Sequence, residues 1–465
     1  MKTILLQVCV TALFFSTTFS FAQSISGGGP HSIALCNDGT VKSWGNNNYG
    51  QMGDGTLVNK AVPTTVGSSL ANVITVGGGD LHSFFVKNDG TVWACGRNFY
   101  GQLGDGTTSD KSSPVLIGSI TNVVKADGGY DHSLFVKADK TAWSCGANAD
   151  GRLGNGTTIP STTPVAVSSL SGIIEVAAGN YHSLFLKDNG TVWACGGNSQ
   201  GQLGDGSNIN KSTPVQISSL TGIIAIAAGY THSMFLKNDG TVWACGQNNY
   251  GQLGNGTTGS TNTPIQVVGL TGQIVGIAAG LAHSLFIKNN NKVWACGKNS
   301  DGQLGDGTTV QKTTPVQVNT VDGIIGIAGG GVWSSDNGHS LFLKNDGTLW
   351  ACGSGSSGQL GNAGTTNTSS PVQVIALCQV AIGVNEQINN EIKINIFPNP
   401  NSGKFTINIE QLPGTEQAFS ITDLLGREVL NTKLHNTKQE IDISNQKAGI
   451  YFLRIGNTVK QIIKE

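Results

Sequence analysis

Short runs of β-prone residues, one face or both faces apolar, recur in groups of four along most of the chain. They are separated by stretches rich in Gly, Asn, Asp, Ser and Thr. In one group the runs are Ile223–Ala227, Ser233–Lys237, Thr241–Cys245 and Pro264–Val267, here strands A to D. The string H-S-x-x-x-x-N-D-G-T-V-W-A-C-G marks each group and returns with a period of about 50 residues. Its histidines fall at His31, His82, His132, His182, His232, His283 and His339, and a proline follows in each copy at Pro63, Pro114, Pro164, Pro214, Pro264, Pro315 and Pro371. Asn238-Asp239-Gly240 between B and C predicts a tight hairpin, because Asn and Gly accept the positive φ values of such turns. Proline at the start of D cannot donate a ladder hydrogen bond, which places D at the sheet edge.

Four antiparallel strands cannot bury both faces of their sheet alone, whereas seven such sheets stacked around an axis do so with short edges. The pattern therefore predicts an all-β chain whose residues 23–383 form a seven-bladed β-propeller. A linear solenoid is the alternative. The segment Leu377–Ile382 reads like the start of another strand A, as though an eighth copy began and stopped, and this favours a closed ring.

Composition narrows the function classes. The 465 residues include 66 Gly but only 12 Pro, and 27 Lys+Arg balance 28 Asp+Glu, so the glycines belong in turns and no basic footprint for nucleic acid exists. Lys2, the apolar run Ile4–Phe15 and the small residues of Ser20-Phe21-Ala22 read as a signal peptide over residues 1–22. Beyond it no apolar stretch is long enough for a membrane span. After Cys378 neither Cys nor Trp recurs; residues 384–391 read as a polar linker, and residues 392–465 carry five or six strand-like runs that predict a small β-sandwich.

Gly101–Gly106 reads G-Q-L-G-D-G, repeated at Gly201–Gly206 and Gly302–Gly307 and, with Asn255, at Gly251–Gly256. Together with the preceding G-x-N-x-x and the D-G-T-V run, this resembles the regulator of chromosome condensation repeat family over about three quarters of the chain. Where the family usually reads W-G, six copies read W-A-C-G or W-S-C-G, and only Trp44-Gly45 keeps the usual form. The resemblance implies a scaffold whose loop face grips another macromolecule. The nucleotide-exchange activity of nuclear members does not carry over to an exported chain. In the tail, Ile396-Phe397-Pro398-Asn399-Pro400, Ile421–Arg427, Gly449–Leu453 and Lys460–Lys464 are similar to the C-terminal sorting domain of type IX secretion cargo. That implies the type IX machinery as a partner and a route through the periplasm of a Bacteroidetes-like cell to its surface or the medium.

Candidate chemistry is weaker. His and Ser are neighbours on one strand and point to opposite faces, and a pair present in every copy belongs to the hydrogen bonding of the blade, so no catalytic residue is assigned. The G-Q-L-G-D-G loops lack the Lys-Ser/Thr and following helix of a phosphate cradle. Asp105, Asp205 and Asp306 have no companion acidic ligands, and no metal or cofactor is expected. Cys95, Cys145, Cys195, Cys245, Cys296 and Cys352 occupy one equivalent strand position and read as buried thiols. Cys36 and Cys378 break that pattern, and because both ends of the ring meet at the first blade, a Cys36–Cys378 disulfide is expected to staple it.

Loop positions that differ between copies are free to serve a partner. The A–B and C–D loops share one face, opposite the N-D-G hairpins. Six of the seven tyrosines lie there: Tyr49, Tyr100, Tyr130, Tyr181, Tyr230 and Tyr250. Phe99 joins them, and so do Trp333 and Asp336 in the longer seventh copy. Gathered aromatics suit recognition of a protein or glycan. The expected function is an exported, non-enzymatic binding propeller; the rivals are a secreted hydrolase, which needs a unique acid–base pair, and a structural surface or adhesion component.

Overall fold

The computed structural model describes residues 22–67, 70–319, 321–332, 337–378, 394–409, 417–423, 427–455 and 458–465. Two compact units divide the chain, one spanning Ser20–Val380 and the other containing Ala381–Glu465. The signal-peptide reading of residues 1–21 and the linker 384–391 lie outside the described residues.

Seven four-stranded antiparallel sheets make up the first unit, each from four consecutive strands in the order A-B-C-D. The first blade comprises Ala22–Gly27, His31–Cys36, Val41–Gly45 and Lys60–Thr65; the last comprises Ile324–Val332, Asn337–Lys344, Leu349–Gly353 and Thr368–Gln373. The proline-bearing strand is the outer edge of every sheet, as the missing N–H requires. Gly240 closes its B–C hairpin at φ 81°, and Lys140 takes the same left-handed conformation at φ 63° in the third blade.

Strand B is buried along nearly its whole length because blades cover both of its faces. In the fourth blade Leu184 and Leu186 pack with Phe235 and Cys245 of the fifth, while Phe185, on the other side, packs with Leu134 and Val136 of the third. The same exchange closes the ring. Leu341, Leu343 and Ala351 of the last blade share a cluster with Ala34, Cys36 and Trp44 of the first. There Ala34 pairs with Lys42 and Ser32 with Trp44, in the register where the second blade pairs Phe85 with Trp93 and Ser83 with Cys95. The volume lost from Phe to Ala is thus refilled by Trp44 at the cysteine position, as close packing demands. Lys288 lies 3.8 Å from the centre of the Trp294 ring, a cation–π contact that accounts for lysine at the end of strand B; the first blade replaces both partners, with Cys36 and Lys42.

The second unit contains Ile394–Phe397, Lys404–Ile409 and Lys438–Asp442 in a three-stranded sheet. A four-stranded sheet runs Glu428–Leu434, Gln417–Asp423, Gly449–Ile455, Thr458–Lys464. One core joins them, with Ile407 from the first sheet and Ile421, Leu453 and Ile462 from the second fully buried. Among the described residues this sandwich has seven strands rather than five or six.

Candidate functional site

Strand A runs toward the loop face and strand B returns from it, so the A–B turns converge on the axis and the C–D loops surround them. Three layers of contacts fix that face.

The deepest is a ring of side chains. Each histidine Nε2 lies 2.9–3.2 Å from the serine Oγ of the next blade, from His31–Ser83 around to His339–Ser32. Each serine hydroxyl donates at 2.6–2.9 Å to a main-chain carbonyl of the preceding blade, as Ser83 does to Gln51 and Ser32 to Gln359. With its proton committed, Oγ accepts from Nε2–H, which assigns the tautomer. Burial holds the imidazoles far below their ordinary range, to about 3 for His31, His82, His182 and His283 and about 4 for His232 and His339. A neutral histidine that donates toward a serine whose own proton faces a carbonyl is oriented against general-base chemistry. The hydrogen bonding therefore runs between blades, not within one as the repeat suggested, because His and Ser on opposite faces of a strand reach opposite neighbours.

The same carbonyls accept the cysteine thiols at 3.4–3.7 Å, and in the first blade Trp44 Nε1 donates to Gln359 O at 2.9 Å. Burial raises all six thiols. Cys36 and Cys378 form a disulfide, Cα–Cα 5.6 Å, that bridges 342 residues and ties the end of the first strand B to the segment after the last strand D. Asp105 is used locally: it accepts from Asn98 Nδ2, Thr107 N and Thr107 Oγ1 and pairs with Lys111.

Above the ring lies a glycine collar. A Cβ on Gly128 would stand 2.6 Å from Gly79 Cα, so only glycine permits this approach. Main-chain amides then link blades around the axis, with Gly331 N donating to Gly28 O, Gly29 N to Gly79 O and Asp80 N to Gly129 O.

The outer layer carries the aromatic residues. Arg97 lies 5.7 Å from the Tyr49 ring centre and 5.9 Å from that of Tyr130. Tyr130 and Tyr181 are 6.3 Å apart, Tyr181 and Tyr230 5.9 Å, and Arg152 sits 4.7 Å from the Tyr181 ring. Four expected residues, Tyr49, Tyr130, Tyr181 and Tyr230, thus join two arginines in a belt across five blades. Phe99 and Tyr100 form a separate edge-to-face pair at 4.8 Å, with Phe99 64% exposed, and Tyr250 carries Lys298 at 5.5 Å. Trp333 and Asp336 lie outside the described residues; beside them the seventh A–B hairpin extends as a ladder through Gly331–Gly338 and Val332–Asn337.

Sequence reasoning from aromatics missed the polar half of this layer. Arg97 pairs with Asp131 at 3.0 Å, and Gln102 Nε2 donates to the same carboxylate. Arg152 stands where other copies carry Gln, and Asp80 and Asn180 follow collar glycines. Each departs from its repeat, the signal that would have found them. Asp80 is pushed up to about 8 by burial, then by Asp131.

This geometry defines a closed seven-bladed propeller with a blade-independent interior and a blade-specific loop face. The model described as RCC1-like domain matches residues 118–393, more than half the chain, and the protein belongs to that family. Regulator of chromosome condensation repeats match at 38–86 and 89–136, and residues 395–465 match the secretion system C-terminal sorting domain. The tail is therefore a type IX sorting domain and marks export to the cell surface or medium. Among curated relatives, human E3 ubiquitin-protein ligase HERC2 is 36% identical over 96 residues, 20% of this chain and 2% of that protein. Human probable E3 ubiquitin-protein ligase HERC6 is 38% identical over 98 residues, 20% of this chain and 10% of that one. The chain thus spans a small part of those relatives. Among solved structures, Prp20p from Saccharomyces cerevisiae, which binds Gsp1p and histones, superposes with TM-score 0.64 at 22% identity, covering 76% of this chain and 87% of that one. Human WBSCR16 gives 0.62 at 24%, covering 68% and 85%. At these identities the likeness is one of fold.

Proposed function

We propose that the protein is an exported binding propeller that recognises a macromolecular partner, protein or glycan, through the face formed by its A–B and C–D loops, without catalysing a reaction. The observation that carries this reading is the belt of Tyr49, Arg97, Tyr130, Tyr181, Arg152 and Tyr230, built from residues that depart from the repeat and set on a scaffold fixed by repeat-invariant contacts. Tyrosine and arginine lead in binding hot spots because they offer large contact area and directed hydrogen bonds at low entropy cost. The hairpin face answers to the blade instead: Lys87, Lys137, Lys288 and Lys344 lie over strand-C tryptophans, and Lys237 pairs with Asp239 of its own hairpin.

Glycan arrays and bacterial and host protein extracts, screened with the full chain beside generic hydrolase substrates, test it. Binding that falls with Tyr49→Ala and Phe99→Ala and persists with Lys237→Ala supports the reading. Turnover of a substrate, or loss of binding only from the hairpin-face change, overturns it.

A further inference from the structure

Where the A–B turns meet the axis they enclose a hollow of about 80 Å³, lined by Asp80, Tyr130, Asn180, Tyr230, Leu281 and collar glycines. The five named residues follow the collar glycine in successive blades, a position at which copies otherwise built alike diverge. Three of their main-chain amides are committed: Asp80 N donates to Gly129 O, Asn180 N to Tyr230 O and Tyr230 N to Leu281 O. Two side chains are not. Asn180 is 3% exposed, and among the described residues neither its Oδ1 nor its Nδ2, nor Asp80 Oδ2, has a hydrogen-bond partner. Buried polar atoms are almost always paired, so atoms left over at the mouth of an axial channel point to a ligand.

Size and charge select its chemistry. A hollow of about 80 Å³ is far below the roughly 300 Å³ at which pockets for whole small molecules begin, and it suits the end of a side chain. Two of the three leftover atoms are oxygens that accept, and one belongs to a carboxyl group. Asp131 is already matched by Arg97, which leaves Asp80 as the carboxyl group open to a new cation. Tyrosine rings add a wall that favours positive charge.

We propose that this axial mouth receives the cationic end of a lysine or arginine side chain presented by a partner protein, with Asp80 and Asn180 accepting its N–H groups between Tyr130 and Tyr230. This rests on the loop-face reading and chooses protein over glycan within it. The electrostatics agree. Burial and Asp131 push the Asp80 carboxyl up to about 8, Arg97 offsets this only in part, and Tyr130 and Tyr230 also face the group. An entering cation draws the proton off, so binding near neutral pH releases one.

The test uses the full chain and three capped pentapeptides, Gly-Gly-Xaa-Gly-Gly with lysine, arginine or norleucine at the centre, titrated by calorimetry in two buffers of different ionisation enthalpy. The expected result is binding of the lysine or arginine peptide with Kd of about 1 mM, proton release, and no binding of the norleucine peptide. Asp80→Asn and, separately, Asn180→Ala should each weaken it about tenfold without lowering tryptophan-detected melting, which Asp80→Asn raises at neutral pH because it removes a carboxyl that burial disfavours. Equal binding of norleucine, unchanged affinity in both variants, or no binding of either cationic peptide overturns the proposal. If a partner protein is lost on Tyr49→Ala but held by Asp80→Asn, the mouth inference fails alone and the loop-face reading stands.

Discussion

Moving from pH 7 to pH 5 should cost the propeller most of its stability, through the ring of seven histidines. An unfolded histidine titrates near 6.5, whereas burial in the ring lowers it to about 3 or 4. Between those values the unfolded chain binds more protons than the folded one, so the stabilisation is complete above about pH 6.5 and is lost as pH falls toward the folded values. At pH 5 each ring histidine has lost about 2 kcal/mol, a figure nearly independent of whether its folded value is 3 or 4. Over the six histidines held at about 3 or 4 that is about 11 kcal/mol between pH 7 and pH 5, and His132, also held well below its ordinary range by burial, acts in the same direction. Buried carboxyls work the other way, since desolvation raises Asp80, Asp127, Asp131 and Glu175 alike. Asp80, at about 8, and Asp127, raised by burial to about 7, destabilise the folded chain at neutral pH and together return about 5 kcal/mol over the same interval. These eight groups leave a net loss of about 6 kcal/mol, comparable with the whole stability of an ordinary domain.

Tryptophan fluorescence is the assay, because all eight tryptophans precede Cys378 and report the propeller alone. A fall in Tm of roughly 10–20 °C from pH 7 to pH 5 is expected for a unit of this size. His132→Gln keeps an N–H toward Ser183 and should remove one histidine's share of the pH dependence. A Tm that stays within about 3 °C across this range would refute the reasoning.

Other outcomes follow from the same contacts. Ser183→Ala leaves the Nε2–H of His132 buried without its acceptor and should cost about 1–3 kcal/mol in urea unfolding. Replacing both Cys36 and Cys378 by Ser should lower stability by about 2–5 kcal/mol, and peptide mapping of the native chain that found both thiols free would remove the staple. Deleting residues 392–465 should leave a folded propeller in the periplasm; normal export of the shortened chain would refute the sorting role. Gly128→Ala, whose Cβ meets the Gly79 main chain, should cost about 1–3 kcal/mol in unfolding, more than an alanine at an open glycine such as Gly259.

The blades were legible in the sequence because one unit is written seven times: the histidine, the hairpin and the strand-D proline each fix a strand boundary. The contacts between blades were not. His31 meets Ser83 and His132 meets Ser183, about one repeat apart, while the link that closes the ring joins His339 to Ser32 across 307 residues. A pattern read within one copy assigns both residues to that copy. The belt was half legible, since aromatic side chains announce a recognition face, whereas Arg97 and Asp131 draw their meaning from a shared burial that appears only once neighbouring loops are brought together. In the tail, the strand Ile394–Phe397 is four residues long and is followed by Pro398, too short a run for its alternation to fix the number of strands.

The central claim is that the loop face binds, and amide hydrogen exchange of the full chain with and without its partner tests it most directly. The account predicts new protection in the A–B turns, such as residues 129–131 and 179–181, and in the C–D loops, such as 46–59 and 97–110, with the N-D-G hairpins unchanged. Protection confined to the hairpins at 88–90, 188–190 and 238–240, with the belt exchanging as in the free protein, would contradict it.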